Sequence, residues 1–146
     1  MKYFFVIAWL LSYHPTNAQF PSLQFRHVGI AEGLSQGSVY FMHRDSRGFL
    51  WLGTQDGLNR YDGKRFKIYL SGATGQSCDI KGIAEDALGD LWIGTQQGLY
   101  HYDRRRDTCF SVSEVKLKGL VFVFGTSQKQ ILLLHQTGLY SFSPKD

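Results

Sequence analysis

A block of fifteen residues occurs twice in this chain and a third time in worn form. "GFLWLGTQDGLNRYD" (48–62) and "GDLWIGTQQGLYHYD" (89–103) align without a gap, so Trp51 and Trp92 stand 41 residues apart, as do Gly57 and Gly98. "KQILLLHQTGLYSFS" (129–143) repeats the pattern with Leu132 in the tryptophan position and Leu134 in place of a glycine. Such a period constrains the fold more than composition does. Each unit must be one supersecondary structure that buries its apolar faces against its neighbours.

The grammar inside a unit is that of short antiparallel strands. Val39-Tyr40-Phe41-Met42 is apolar and β-prone, and Ile80 to Ala84 is its weaker counterpart. Asp45-Ser46-Arg47-Gly48 and Asp86-Ala87-Leu88-Gly89 supply turns, because Asp bonds its own backbone and Gly accepts a positive φ. The next strand runs from Phe49 to Thr54, or Leu91 to Thr95. The turns Gln55-Asp56-Gly57 and Gln96-Gln97-Gly98 lead to a third, Leu58 to Tyr61 or Leu99 to Tyr102. Asp62-Gly63 signals a two-residue hairpin, and Phe66 to Tyr69 a fourth strand.

Four antiparallel strands in about 40 residues is the period of a β-propeller blade. The fold class is therefore all-β, a partial propeller of four-stranded antiparallel blades. An N-terminal segment and strand are expected over 19–32, blade 1 over 33–70, blade 2 over 71–112 and an incomplete blade 3 over 113–146. A β-solenoid would not need a tight turn after every strand. Along Leu50-Trp51-Leu52-Gly53, Trp and Gly share one face and the two Leu the other, so both faces are apolar or small, as stacked blades require. Trp51, Gly53, Gly57, Trp92, Gly94 and Gly98 are thus structural. The two tryptophans are expected between blades, with Gly53 and Gly94 leaving room for the indoles.

The front end reads as an export signal over 1–18: Met1-Lys2, an apolar run from Tyr3 to Leu11, and a more polar stretch ending Thr16-Asn17-Ala18. No later stretch is long enough to cross a membrane as a helix. Formal net charge is +4 including Lys2, and Asp103 and Asp107 flank the one basic run, Arg104-Arg105-Arg106. A solvated loop fits that run, and nucleic acid is not an expected partner. Cys78 and Cys109 are too few for a disulfide framework. Register places Cys78 opposite Gly37 and Cys109 opposite Ile68, innermost and outermost in a blade, so both are expected unpaired.

Gly33-Leu34-Ser35-Gln36-Gly37 fits the Gly-x-Ser-x-Gly of a hydrolase elbow, but that motif needs a helix after the serine, and Ser38 to Met42 favours a strand. Ser35 is therefore a loop residue. His27, His43, His101 and His135 share no ligand spacing, and Glu85 and Asp86, adjacent in a strand, point to opposite faces. Neither catalytic residues, nor a metal site, nor a cofactor is expected.

Residues 33–69 resemble the opening repeat of the two-component-regulator propeller: Gly33-Leu34-Ser35, Val39, Asp45 to Gly48, Leu50 to Thr54, Gly57-Leu58 and Tyr61 to Gly63 carry the pattern. The resemblance covers 25–110 well and 119–143 loosely. It implies the periplasmic N-terminal sensor region of a hybrid two-component histidine kinase. The ligand would be an oligosaccharide, and the full-length parent would be anchored in the inner membrane. The chain stops at Asp146 inside the third repeat, and a closed ring takes about four to eight blades. It is therefore expected to be a fragment without its kinase, one that self-associates. By analogy with propellers, Gln55, Asp56, Gln96, Gln97, His135 and Gln136 fall on one rim beside the segment from Gly75 to Ser77, where amides and carboxylates suit sugar hydroxyls. The rival readings are a scaffold or adhesion propeller and, behind it, a propeller lyase or glycosidase.

Overall fold

The computed structural model describes residues 23–71 and 78–142. The expected export signal and the segment from Gly75 to Ser77 lie outside them. The described chain forms eleven strands in three antiparallel sheets, plus one 3-10 turn at Ile30–Glu32. The first sheet is β1 (Phe41–Arg44), β2 (Leu50–Thr54), β3 (Gly57–Tyr61) and β4 (Phe66–Tyr69), in that order. The second is β5 (Ile80–Glu85), β6 (Leu91–Thr95), β7 (Gly98–Asp103) and β8 (Thr108–Ser111). β9 (Val121–Gly125), β10 (Ile131–His135) and β11 (Gly138–Phe142) make the third. These are stacked meanders, the all-β blade architecture that the repeat demands.

Two apolar layers join the sheets. Trp51, Leu58, Tyr69, Ile80, Leu91, Ile93 and Tyr102 fill the space between blades 1 and 2. Ala84, Leu99, Val121, Val123, Ile131 and Leu133 fill that between blades 2 and 3. Blade 2 thus buries both faces, and the alternation along β6 assigns Leu91 and Ile93 to one layer and Trp92 to the other.

The glycines inside β2 and β6 serve the neighbouring blade and not the indole beside them. A Cβ on Gly53 would sit 2.6 Å from Cγ2 of Ile80, and one on Gly94 would sit 2.3 Å from the carbonyl oxygen of Val121. Gly82 meets the Val123 backbone at the same 2.3 Å. The expectation that these glycines make room for tryptophan is corrected: they let the next inner strand approach. Gly57 and Gly98 are structural in another way, taking φ of 122° and 137° just after the β2–β3 and β6–β7 turns.

Other details shift. The ladder of β1 begins at Phe41, although the Tyr40 amide already donates to Gly53 O at 2.9 Å. Residues 23–28 form no strand, because no sheet edge among the described residues pairs with them, and Phe25 is 91% exposed. The β3–β4 hairpin turns at Gly63-Lys64, one residue later than Asp62-Gly63, with Gly63 at φ 95° and Asp62 Oδ1 accepting from the Lys64 and Arg65 amides at 2.7 Å each. In blade 2 the corresponding loop is two residues longer. Cys109 therefore lies opposite Tyr102, in the place Phe66 holds opposite Tyr61, and not in the place of Ile68. Both thiols are free, and both lie in the layer between blades 1 and 2.

Candidate functional site

Each blade has two ends. Gly53 abuts Ile80, which pairs with Thr95 beside the β6–β7 turn, and Gly94 abuts Val121, which pairs with His135 beside the β10–β11 turn. The β2–β3, β6–β7 and β10–β11 turns therefore share one rim. Gln55, Asp56, Gln96, Gln97 and Gln136 are exposed there. Gln36, from the lead-in to blade 1, reaches Gln55 with an Nε2 to Oε1 distance of 3.4 Å.

The rim turns are built from beneath by a buried side chain. Thr54 Oγ1 donates to Gly57 O at 3.1 Å and accepts from the Asp56 amide at 3.1 Å. Thr95 Oγ1 does the same with Gly98 O and the Gln97 amide. His135 stands in this threonine position and is likewise buried, with Nδ1 2.7 Å from Thr137 Oγ1 and Nε2 3.1 Å from Lys118 O. It holds the turn and presents nothing to the rim. Its alignment with Thr54 and Thr95 is the signal in the sequence for that role.

Ser35 belongs to the same construction. Its hydroxyl is 2.9 Å from Thr54 Oγ1 and accepts from Asn59 Nδ2 at 2.8 Å, while its amide donates to Asn59 Oδ1 at 2.9 Å. None of these partners is a base, and the serine fastens the lead-in segment to blade 1.

At the opposite end the blades are welded by charge. Asp45 Oδ1 accepts from the amides of Arg47 and Phe49, and Oδ2 accepts from Trp51 Nε1 at 2.9 Å. Asp86 repeats this with Leu88, Asp90 and Trp92 Nε1 at 2.7 Å. The Asp-to-Trp spacing of six residues is legible in both copies. Arg104, expected in a solvated loop, instead has a side chain only 10% exposed and donates to Asp45 Oδ2 at 3.0 Å, Glu85 Oε1 at 3.1 Å and the Gly89 carbonyl. Glu85 also accepts from Ser46 Oγ at 2.5 Å and pairs with Lys129 at 3.2 Å, so one network spans three blades. Burial works to raise the Asp45 and Glu85 pKa values. The hydrogen bonds from Trp51 and Arg104 to the first, and from Ser46 and Lys129 to the second, outweigh it and leave both below the ordinary range.

A second knot uses the other end of the same loop. Asp107, at φ 50°, accepts from Tyr69 OH at 2.5 Å, Tyr102 OH at 2.6 Å and Arg60 at 2.9 Å, and pairs with Lys67. Those bonds, set against burial, hold its carboxyl well below the usual carboxylate range. Trp51 lies over Tyr102 with ring centroids 4.7 Å apart and beside Tyr69 at 5.5 Å, and it is fully buried. Trp92 meets Phe142, the counterpart of Tyr102, at 4.6 Å. It is only half-buried, because Val112 replaces Tyr69 opposite Leu99.

Stacked four-stranded meanders at a 41-residue step define β-propeller blades. Their sequence places them further. The profile of the two component regulator propeller family matches residues 33–56 and 74–97, one stretch in each of the first two repeats. A histidine kinase of Formosa agariphila is 48% identical over 52 residues, a stretch covering 36% of this chain and 4% of that kinase. The extracellular domain of a protein of B. thetaiotaomicron assigned as a hybrid two component system superposes with a TM-score of 0.62 at 18% identity, over 81% of this chain and 16% of that one. The extracellular domain of another protein of the same organism, assigned as a one component system, gives a TM-score of 0.62 at 24% identity, over 86% and 19%. The chain thus spans a small part of each of these proteins.

Proposed function

We propose that this chain is part of an exported, periplasmic sensor region that recognises an oligosaccharide and does no chemistry on it. The repeats of a regulator propeller and the kinase relative support the sensor reading. The neighbours, described as extracellular domains, support export. In the full-length parent, ligand capture would be passed through the inner membrane to a kinase.

One observation carries the ligand reading. Gln55, Gln96 and Gln136 recur at one position of the repeat, exposed on one rim, above buried side chains that already satisfy the turn backbone. A row of exposed amides suits the hydroxyls of a sugar chain, since each amide both donates and accepts. Asp56 and Gln97 add acceptors beside them.

Calorimetric titration of the purified chain with a panel of neutral and acidic oligosaccharides tests this. The expected result is binding by at least one member that falls tenfold or more in the triple variant Gln55→Ala, Gln96→Ala, Gln136→Ala. Binding that survives the triple change, or a panel with no binder, would overturn the reading. Capture of protein instead of sugar would favour the scaffold.

A further inference from the structure

The inner strands β1, β5 and β9 also meet at the end opposite the rim, around a cavity of about 270 Å³ lined by His43, Ile83, Ala84, Glu85, Thr126 and Lys129. Two independent features there point to a ligand. The first is His43, whose Nε2 is buried without a hydrogen-bond partner among the described residues. Buried polar nitrogens are nearly always paired, so this one calls for an explanation.

The second is Lys129. It occupies the turn position held by Gly48 and Gly89, and its φ is 61° where theirs are 89° and 82°. A side chain is disfavoured in that left-handed region, and a residue kept there points to a use for the side chain. The Lys129 side chain is 51% exposed and touches Glu85 from the cavity side of the charge network.

We propose that this cavity is an oxyanion site, which takes a carboxylate or sulfate group between the Lys129 ammonium and a His43 imidazole protonated on binding. The surrounding charges fit. Asp45 and Glu85 are balanced by Arg104 and Lys129, so a further anion needs one further cation, and His43 supplies it by taking a proton from solvent. Glu85 faces the same space, but its oxygens are already engaged by Ser46, Arg104 and Lys129. Burial holds the empty-site imidazole below its ordinary pKa, with Glu85 and Asp45 pulling it up and Lys129 and Arg104 pulling it down. That lowering favours the neutral imidazole before an anion binds. Because binding takes up a proton, affinity rises by up to about tenfold per pH unit as pH falls between the bound and free pKa values. This site is separate from the rim and stands whether or not the rim binds sugar.

Sodium sulfate, acetate and glucuronate, titrated calorimetrically into the full chain at about pH 7.5 and about pH 5.5, test the proposal, since sulfate keeps its charge across that range while histidine titrates. Sulfate is expected to bind about tenfold or more tightly at the lower pH. Lys129→Gly restores the glycine of the other repeats, so the turn keeps its geometry, and it should weaken binding about tenfold or more at both pH values. His43→Gln should abolish the pH dependence. Glucuronate binding more tightly than acetate would assign the site to an anionic sugar, and equal affinities to a free ion. Absence of binding at the lower pH, pH-independent binding, or binding indifferent to Lys129→Gly would each overturn the site and leave a water molecule as the partner of His43.

Discussion

Trp51 and Trp92 occupy the same place in the repeat and donate to equivalent aspartates, yet one is fully buried and the other is not. The difference lies in their neighbours. Trp51 is enclosed by Tyr69 and Tyr102, whereas Trp92 has Phe142 on one side and a valine where the second tyrosine would be. Trp51→Ala should therefore cost about 3–5 kcal/mol and Trp92→Ala distinctly less, measured by urea unfolding. Equal costs would contradict the packing described. The thiols make a second test at this scale. Burial raises Cys78, and burial reinforced by neighbouring Cys78 pushes Cys109 up to about 12. A raised pKa leaves little thiolate, so both should react with thiol reagents only as the protein unfolds. Rapid modification of the folded chain would refute this.

Among the elements, the β7–β8 hairpin separates what the sequence makes legible from what it hides. The blade meander is legible because its contacts are local: turn residues and alternation repeat every 41 positions. The use of the loop is not. Arg104 meets Asp45 from 59 residues away, and Asp107 meets Arg60 from 47, leaving no periodic trace. The role of His135 is legible in the repeat, since it aligns with Thr54 and Thr95, which hold the equivalent turns from beneath. Arg104→Ala strands two buried carboxylates and should cost about 3–5 kcal/mol, while Arg105→Ala and Arg106→Ala, exposed, should stay within about 0.5. Acid should have a related effect. The lowered pKa values of Asp45 and Glu85 give stability that is present above the ordinary carboxylate pKa, near 4, and lost as pH falls through their folded values. A melting temperature that holds steady below that pH would contradict the sign. Gly82→Ala and Gly94→Ala, each forcing a Cβ onto backbone of the next blade, should cost about 1–3 kcal/mol or more in the same unfolding assay.

In the molecule as a whole, blade 2 is covered on both faces, while blade 3 turns Phe124, Leu134 and Leu139 outward at 46%, 44% and 66% exposure. A contiguous apolar face of this kind associates. Sedimentation velocity of the purified chain should show concentration-dependent oligomers that Leu134→Lys weakens, and a monomer at every concentration would count against it. Beyond that face, the account rests on a division between the two ends of the stack: one end welds the blades through Arg104 and Asp107, and the other carries exposed amides on turns held from beneath by Thr54, Thr95 and His135. Urea unfolding of the rim triple variant beside Arg104→Ala measures that division most directly. The account predicts that the triple variant loses no more than about 0.5 kcal/mol per site, while the single arginine change costs about 3–5. A rim variant as destabilised as Arg104→Ala would show that the amides hold the fold, and the rim would no longer be free for a ligand.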